Sequence, residues 1–170
     1  MMIRAGVIVT VSVAILLGFF SQPASAQTTT FWHNATELMP QDSNVIITPG
    51  TSANSMDVKM DIVDTRFIVL PLTLPSDRFV RSITICYQTT SANTFITQIS
   101  LTRMTTPTAS IPFLDDLTDL ASTTPTCYTS TVTTAPPNYA PDAAINLLIR
   151  VTAGSTTETI TIGGIGITVE

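Results

Sequence analysis

Ile145-Asn146-Leu147-Leu148-Ile149-Arg150-Val151-Thr152 alternates along its length. Ile145, Leu147, Ile149 and Val151 fall on one face, and Asn146, Leu148, Arg150 and Thr152, mostly polar, fall on the other. A period of two belongs to an extended chain, so this stretch predicts a strand with one buried face and one solvated face. Antiparallel sheets are built from such strands. Phe79 to Gln88 repeats the pattern, with Phe79, Ile83, Ile85 and Tyr87 on one face and Thr84, Cys86 and Gln88 on the other. Similar runs are Val45 to Thr48, Met56 to Val63, Phe67 to Leu74, Phe95 to Met104, Thr126 to Thr133, Thr157 to Ile162 and Ile165 to Glu170. They recur about every 8 to 12 residues with Pro, Gly, Asn or Ser clusters between them, which is the spacing of a sandwich or barrel. The expected fold is all-β, a single antiparallel β-sandwich, jelly-roll-like, with about eight or nine strands over residues 43–170.

Two places depart from strand grammar. Leu114, Leu117 and Leu120 recur every third residue with Asp115, Asp116 and Asp119 between them, which predicts one or two helical turns over Leu114 to Ser122. Gly163-Gly164-Ile165-Gly166 lacks the Lys-Ser/Thr of a phosphate-binding loop. It is expected to make a tight turn between the last two strands, with Gly166 allowing a bulge or a close backbone approach.

At the other end, residues 1–26 have the parts of a secretory signal. Arg4 opens it, an apolar run extends from Val7 to Phe20, and Ala24-Ser25-Ala26 supplies an A-x-A cleavage site before Gln27. The apolar run is shorter than the roughly 20 residues a spanning helix needs, and no long apolar stretch follows it. The expected product is a secreted chain, periplasmic or extracellular, with no transmembrane segment after cleavage at Ala26. From Gln27 to Asp42 the chain is polar, with Phe31, Trp32 and Leu38 as its bulky apolar residues. It is expected to form an irregular N-terminal arm packed on the domain, or an edge strand.

The charge supports this and excludes one class of partner. Charged residues are 11% of the chain, against roughly 25% in an average globular protein. The net charge is −5, and loss of Arg4 with the signal would make it −6. Nucleic-acid binding needs a basic patch and is not expected. Residues 27–170 hold 31 Thr, whose branched side chain fits a pleated sheet while the hydroxyl stays solvated. The two cysteines, Cys86 and Cys127, are an even pair in a chain read as exported, which predicts a disulfide. Both fall on polar strand faces, so a bridge requires their strands to be neighbours or a loop to distort. Closing that loop would contribute roughly 4 kcal/mol in the chain-entropy treatment.

Leu70-Pro71-Leu72-Thr73-Leu74-Pro75, then Val80 to Tyr87, then Asn93 and Ile96 to Arg103, resemble a loosely defined set of exported single-domain β-sandwich proteins with no assigned activity. Gly164-Ile165-Gly166-Ile167-Thr168-Val169 is similar to their last strand. The resemblance implies an all-β sandwich and brings no activity with it.

Catalytic constellations are sparse. Nucleophilic triads need a base that titrates near neutrality, and the one histidine, His33, lies in the arm. A zinc site needs three or four Cys or His ligands at close spacing. Calcium is the one cofactor with candidate ligands, Asp115, Asp116 and Asp119 or Asp57, Asp61 and Asp64, although neither set follows a Ca²⁺-loop pattern. Binding candidates are Trp32 and Tyr139, the latter in Pro136-Pro137-Asn138-Tyr139-Ala140-Pro141. Each could contact a ligand or pack over an end of the core. Asn34-Ala35-Thr36 matches a glycosylation acceptor.

By elimination the expected role is a non-catalytic binding module for a glycan or protein at or outside the cell surface. Two alternatives remain open: a structural subunit that assembles by strand addition, and a carboxylate-dependent hydrolase.

Overall fold

The computed structural model of the chain describes residues 27–75, 78–133 and 144–170. The expected signal with its cleavage point at Ala26, and the Tyr139 loop, lie outside those residues. The described elements are β1 (Thr29–His33), a 3-10 turn (Ala35–Glu37), β2 (Met39–Pro40), β3 (Val45–Pro49), β4 (Met56–Met60), β5 (Thr65–Leu72), β6 (Val80–Thr89), β7 (Phe95–Thr106), β8 (Ala109–Asp116), β9 (Thr126–Thr131), β10 (Ile145–Thr152) and β11 (Ile160–Val169).

These strands form two antiparallel sheets. The larger runs β3-β4-β11-β6-β9, with β1 also paired to β11, and the smaller runs β2-β5-β10-β7-β8. The alternation in β10 does what its sequence requires. Leu147, Ile149 and Val151 are fully buried, Ile145 nearly so, and Arg150 is exposed with its guanidinium 5.8 Å from the Phe67 ring centroid. Facing them across the core are Ile83 and Ile85 of β6 and Ile160, Ile162, Ile165 and Ile167 of β11, each at most 1% exposed. Burying an Ile or Leu of this kind contributes about 1.5–3 kcal/mol, so the core residues of β6, β10 and β11 hold the two sheets together.

Two expectations are corrected and one open choice is decided. Leu114 to Ser122 is not helical. Its first three residues close β8, where Leu114 pairs with Leu101 and faces inward, and Leu120 bridges Ile96. Asp116 holds the bend between them, its Oδ1 accepting from the Thr118 backbone N–H at 3.0 Å and its Oδ2 from the Tyr128 hydroxyl at 2.9 Å. A leucine every third residue therefore reflects two inward contacts on either side of a bend, with Leu117 turned to solvent. The last two predicted strands are one strand. β11 runs unbroken past Gly163 and Gly164, and the irregularity there is a register shift against β6 between Ile162 and Gly164. The arm at 27–42, finally, takes the strand form of its two expected options rather than the irregular one. β1 pairs with β11 from Thr29↔Val169 to His33↔Ile165, and β2 pairs with β5, so the arm adds a strand to each sheet.

Outside the arm, one strand has no counterpart in the expected set. β8 carries Pro112, and among the described residues it is an edge strand paired with β7, where a proline is tolerated.

Cys86 and Cys127 stand directly opposite each other in the β6–β9 ladder and are bridged, 41 positions apart in sequence. The Cys86→Ser/Cys127→Ser double variant should lose about 2–4 kcal/mol of unfolding free energy. Calorimetry on both proteins checks this, and an unchanged melting temperature would contradict it.

Burial pushes the Asp116 carboxyl up, but hydrogen bonds from Ser130, Thr118 and Tyr128 outweigh it and hold the group below the usual carboxylate range. A depressed folded pKa contributes stability above the unfolded value of about 3.9 that is lost as pH falls through the folded one. Asp116→Asn should therefore melt lower than the parent at neutral pH and fall less on acidification below about pH 4. Melting curves across that range are the measurement.

Candidate functional site

The outer face of the larger sheet is assembled by its pairing registers. In β11 the inward residues are Ile160, Ile162, Ile165, Ile167 and Val169, which leaves Thr161, Gly164, Gly166 and Thr168 facing out. Gly166 lies opposite Trp32 on one side and Thr84 on the other, and Thr84 lies opposite Thr129. Thr168 lies between Thr30 and Ser82, and Gly164 lies beside Cys86, which is bridged to Cys127. The Thr84 and Thr129 hydroxyls are 2.9 Å apart, as are those of Thr30 and Thr168. This part of the face consists of paired hydroxyls, one disulfide, a bare glycine strip and one large aromatic ring.

That ring is Trp32, 61% exposed although it sits within the sheet rather than at a loop tip. Its benzo ring runs along β11. A Cβ built on Gly166 would lie 3.2 Å from Cη2 and 3.3 Å from Cζ2, and one built on Gly164 would lie 3.7 Å from Cε3 and 3.8 Å from Cζ3. None of the described glycines has a positive φ. The glycines of β11 thus serve to leave space above the strand. Of the two options open for Trp32, packing over a core end is not what the structure shows.

Next to the glycine strip is a groove of roughly 360 Å³. The bridged Cys86 and Cys127, with Thr161 and Gly163, make its floor. Thr51, Ser52, Asn54 and Ser55 form one wall, and Gln88, Pro125 and Thr126 form the other. No lining residue carries a charge. The first wall is a self-bonded loop: the Gly50 N–H donates to the Ser55 carbonyl at 2.9 Å, and the Ser52 N–H to Ser55 Oγ at 3.1 Å. Gly50 is needed because a Cβ there would collide with Ser55 Oγ.

The wall is tied to the platform. Asn34, two residues after Trp32, donates from Nδ2 to Asn54 Oδ1 at 3.2 Å, while its own Oδ1 accepts from the Thr36 N–H at 3.0 Å. Glu37 completes the cap by accepting from the Asn34 N–H, and its Oε2 lies 2.9 Å from His33 Nδ1. The His33 hydrogen bond, together with that from Asn34, holds the Glu37 carboxyl below its usual range against a smaller opposing push from burial.

The other candidates lie apart. Among the described residues no three His, Cys, Asp or Glu side chains gather where they could hold a metal. Asp115 accepts from Gln98, Asp116 holds the bend after β8, and Asp119 is exposed. Asp57 Oδ1 accepts from Thr161 Oγ1 at 2.6 Å, and Asp64 pairs with Arg66 at 2.6 Å. Sequence reasoning named Trp32 but missed the groove. Gly50-Thr51-Ser52-Ala53-Asn54-Ser55 signals a loop, and nothing in it signals that the loop would meet the turn after β1.

No protein-family signature matches the chain, and no curated protein matches it either. Solved structures do. The family 29 carbohydrate-binding module from Piromyces equi is 11% identical, with a TM-score of 0.53 over 83% of this chain and 90% of that one. A variant of a family 29 module complexed with cellulohexaose is 11% identical, with a TM-score of 0.54 over 85% of this chain and 93% of that one. An arabinose-bound α-L-arabinofuranosidase is 12% identical, with a TM-score of 0.53 over 79% of this chain but 23% of its own length. At these identities the likeness shows the fold, a β-sandwich of the kind carbohydrate-binding modules use. Among the described residues no helix is long and apolar enough to cross a membrane.

Gly50→Ala should break the Ser52–Ser55 loop and the tie from Asn34. The expected result is faster amide exchange at Ser52 and Ser55 with the exchange of β6 and β11 unchanged. Equal protection of the loop in both proteins would contradict the close approach seen at Gly50.

Proposed function

We propose that this chain is an exported, non-catalytic glycan-binding module that holds its ligand on the outer face of the larger sheet, with Trp32 as the platform. One observation carries the reading: an indole 61% exposed, set on a glycine strip beside an uncharged, hydroxyl-lined groove. The face of an aromatic ring is electron-rich, and a sugar ring turns a layer of weakly positive C–H groups toward such a face. Its hydroxyls then need hydrogen-bonding partners at the rim, which Ser52, Asn54, Gln88 and Thr126 supply. A mostly preformed cleft with a few convergent polar groups is the usual form of a small-ligand site. The structural neighbours include carbohydrate-binding modules, which supports the same class of ligand. The disulfide and the expected signal support a place outside the cytoplasm.

The absence of an acid pair at the groove favours binding over hydrolysis. Glycoside hydrolysis uses two carboxylates flanking the bond. No carboxylate lines the groove, and nearby Asp57 is engaged by Thr161. Strand addition is less favoured because the arm already completes the chain's own sheet through β1.

Purified protein should bind at least one member of a panel of soluble neutral glycans by calorimetric titration. Trp32→Ala should weaken that binding about tenfold or more, a loss of about 1.4 kcal/mol, with little change in melting temperature because the ring is largely in solvent. Binding that survives Trp32→Ala at full strength, or no binding across the panel, would overturn the reading.

A further inference from the structure

We propose that Gly166 is a positioning residue for the Trp32 platform: the bare backbone it presents sets how low the indole lies on β11, and with that the angle at which the ring's outward face meets a ligand. The proposal rests on the glycan-binding reading for the ligand and on the geometry alone for the ring. Trp32 and Gly166 are directly paired across β1 and β11, so the indole's way onto the sheet passes over that residue. The two glycines under the ring are not equivalent. A methyl at Gly164 would meet the ring at 3.7 Å, ordinary contact. One at Gly166 would come within 3.2–3.3 Å of the ring and of Thr30 Cγ2, so the neighbour must give way. Backbone cannot move there, because β11 is fixed by β6 on one edge and β1 on the other and its inward isoleucines are fully buried. The ring, with solvent on its far side, is what lifts.

This seat matters because β1 is a short arm at the sheet's edge. A tryptophan on such a strand would sample several rotamers, and ordering it would cost affinity each time a ligand bound. Seating the ring beforehand removes that cost, which is how preorganised sites gain affinity.

Trp32 is the chain's single tryptophan, so its fluorescence reports the seat with no ligand present. Gly166→Ala should shift the emission to longer wavelength, raise quenching by acrylamide and lower the anisotropy, and it should weaken neutral-glycan binding several-fold. Gly164→Ala should leave the emission as in the parent. A double-variant cycle separates the seat from general stability. If the added methyl acts on the indole, the melting-temperature loss from Gly166→Ala should largely vanish in a Trp32→Ala background. An equal loss in both backgrounds would overturn the proposal, as would emission and quenching identical to the parent. If the parent binds no glycan while the emission and the cycle behave as described, the glycan reading fails and the seat stands.

Discussion

β11 is bonded along both edges. β6 follows one edge from Thr89↔Ile160 to Val80↔Val169, while β4 and β1 divide the other. Its inward side is Ile160, Ile162, Ile165, Ile167 and Val169, all at most 1% exposed, and its outward side is glycine and threonine. The larger sheet depends on this asymmetry. Bulk on one face locks the strand against the second sheet, and the lack of bulk on the other lets an aromatic ring from a neighbouring strand lie across it. The shift in register at Gly163 adjusts the alternation without ending the strand, so both faces keep their character past the irregularity.

A chain with so little charge must keep its surfaces solvated by other means. Threonine does this here in pairs. Thr84 with Thr129, Thr30 with Thr168 and Thr65 with Thr152 stand across strands with their hydroxyls 2.9 Å apart. Such cross-strand pairs add a few tenths of a kcal/mol or more each, and every hydroxyl retains capacity for water or another partner. The result is an outer surface that is polar without being ionic.

The sandwich was legible because its signal is local. Alternation in Phe79 to Gln88 and in Ile145 to Thr152 declares both a strand and its buried side, and the structure places Ile83, Ile85, Leu147 and Ile149 where that reading puts them. Cys86 could be assigned to a polar face for the same reason, although its exact opposition to Cys127 depends on the β6–β9 pairing, which local pattern does not encode. The errors arose where a short pattern has two physical explanations. Leucines three apart fit a helix or a bend between two inward contacts, and adjacent glycines fit a turn or a bare stretch of strand. At Leu114 to Leu120 and at Gly163 to Gly166, tertiary partners decided between them.

The candidate site was illegible for a deeper reason, since its parts lie far apart in sequence. Trp32 comes from the start of the described chain, Gly166 from its end, the wall from residues 51–55 and the opposite wall from Gln88 and Pro125-Thr126. Their convergence is set by β1 pairing with β11 and by Asn34 reaching Asn54. Each contact is weak taken alone: five paired residues on an edge and one side-chain hydrogen bond. They hold because β11 offers a surface already fixed by the core, so the arm need order only itself. Platform and wall then share one short segment, Trp32 to Asn34. Docking that segment brings the ring onto the glycines and the asparagine onto the loop in a single step, which makes the site a product of the finished fold rather than of any one stretch of sequence.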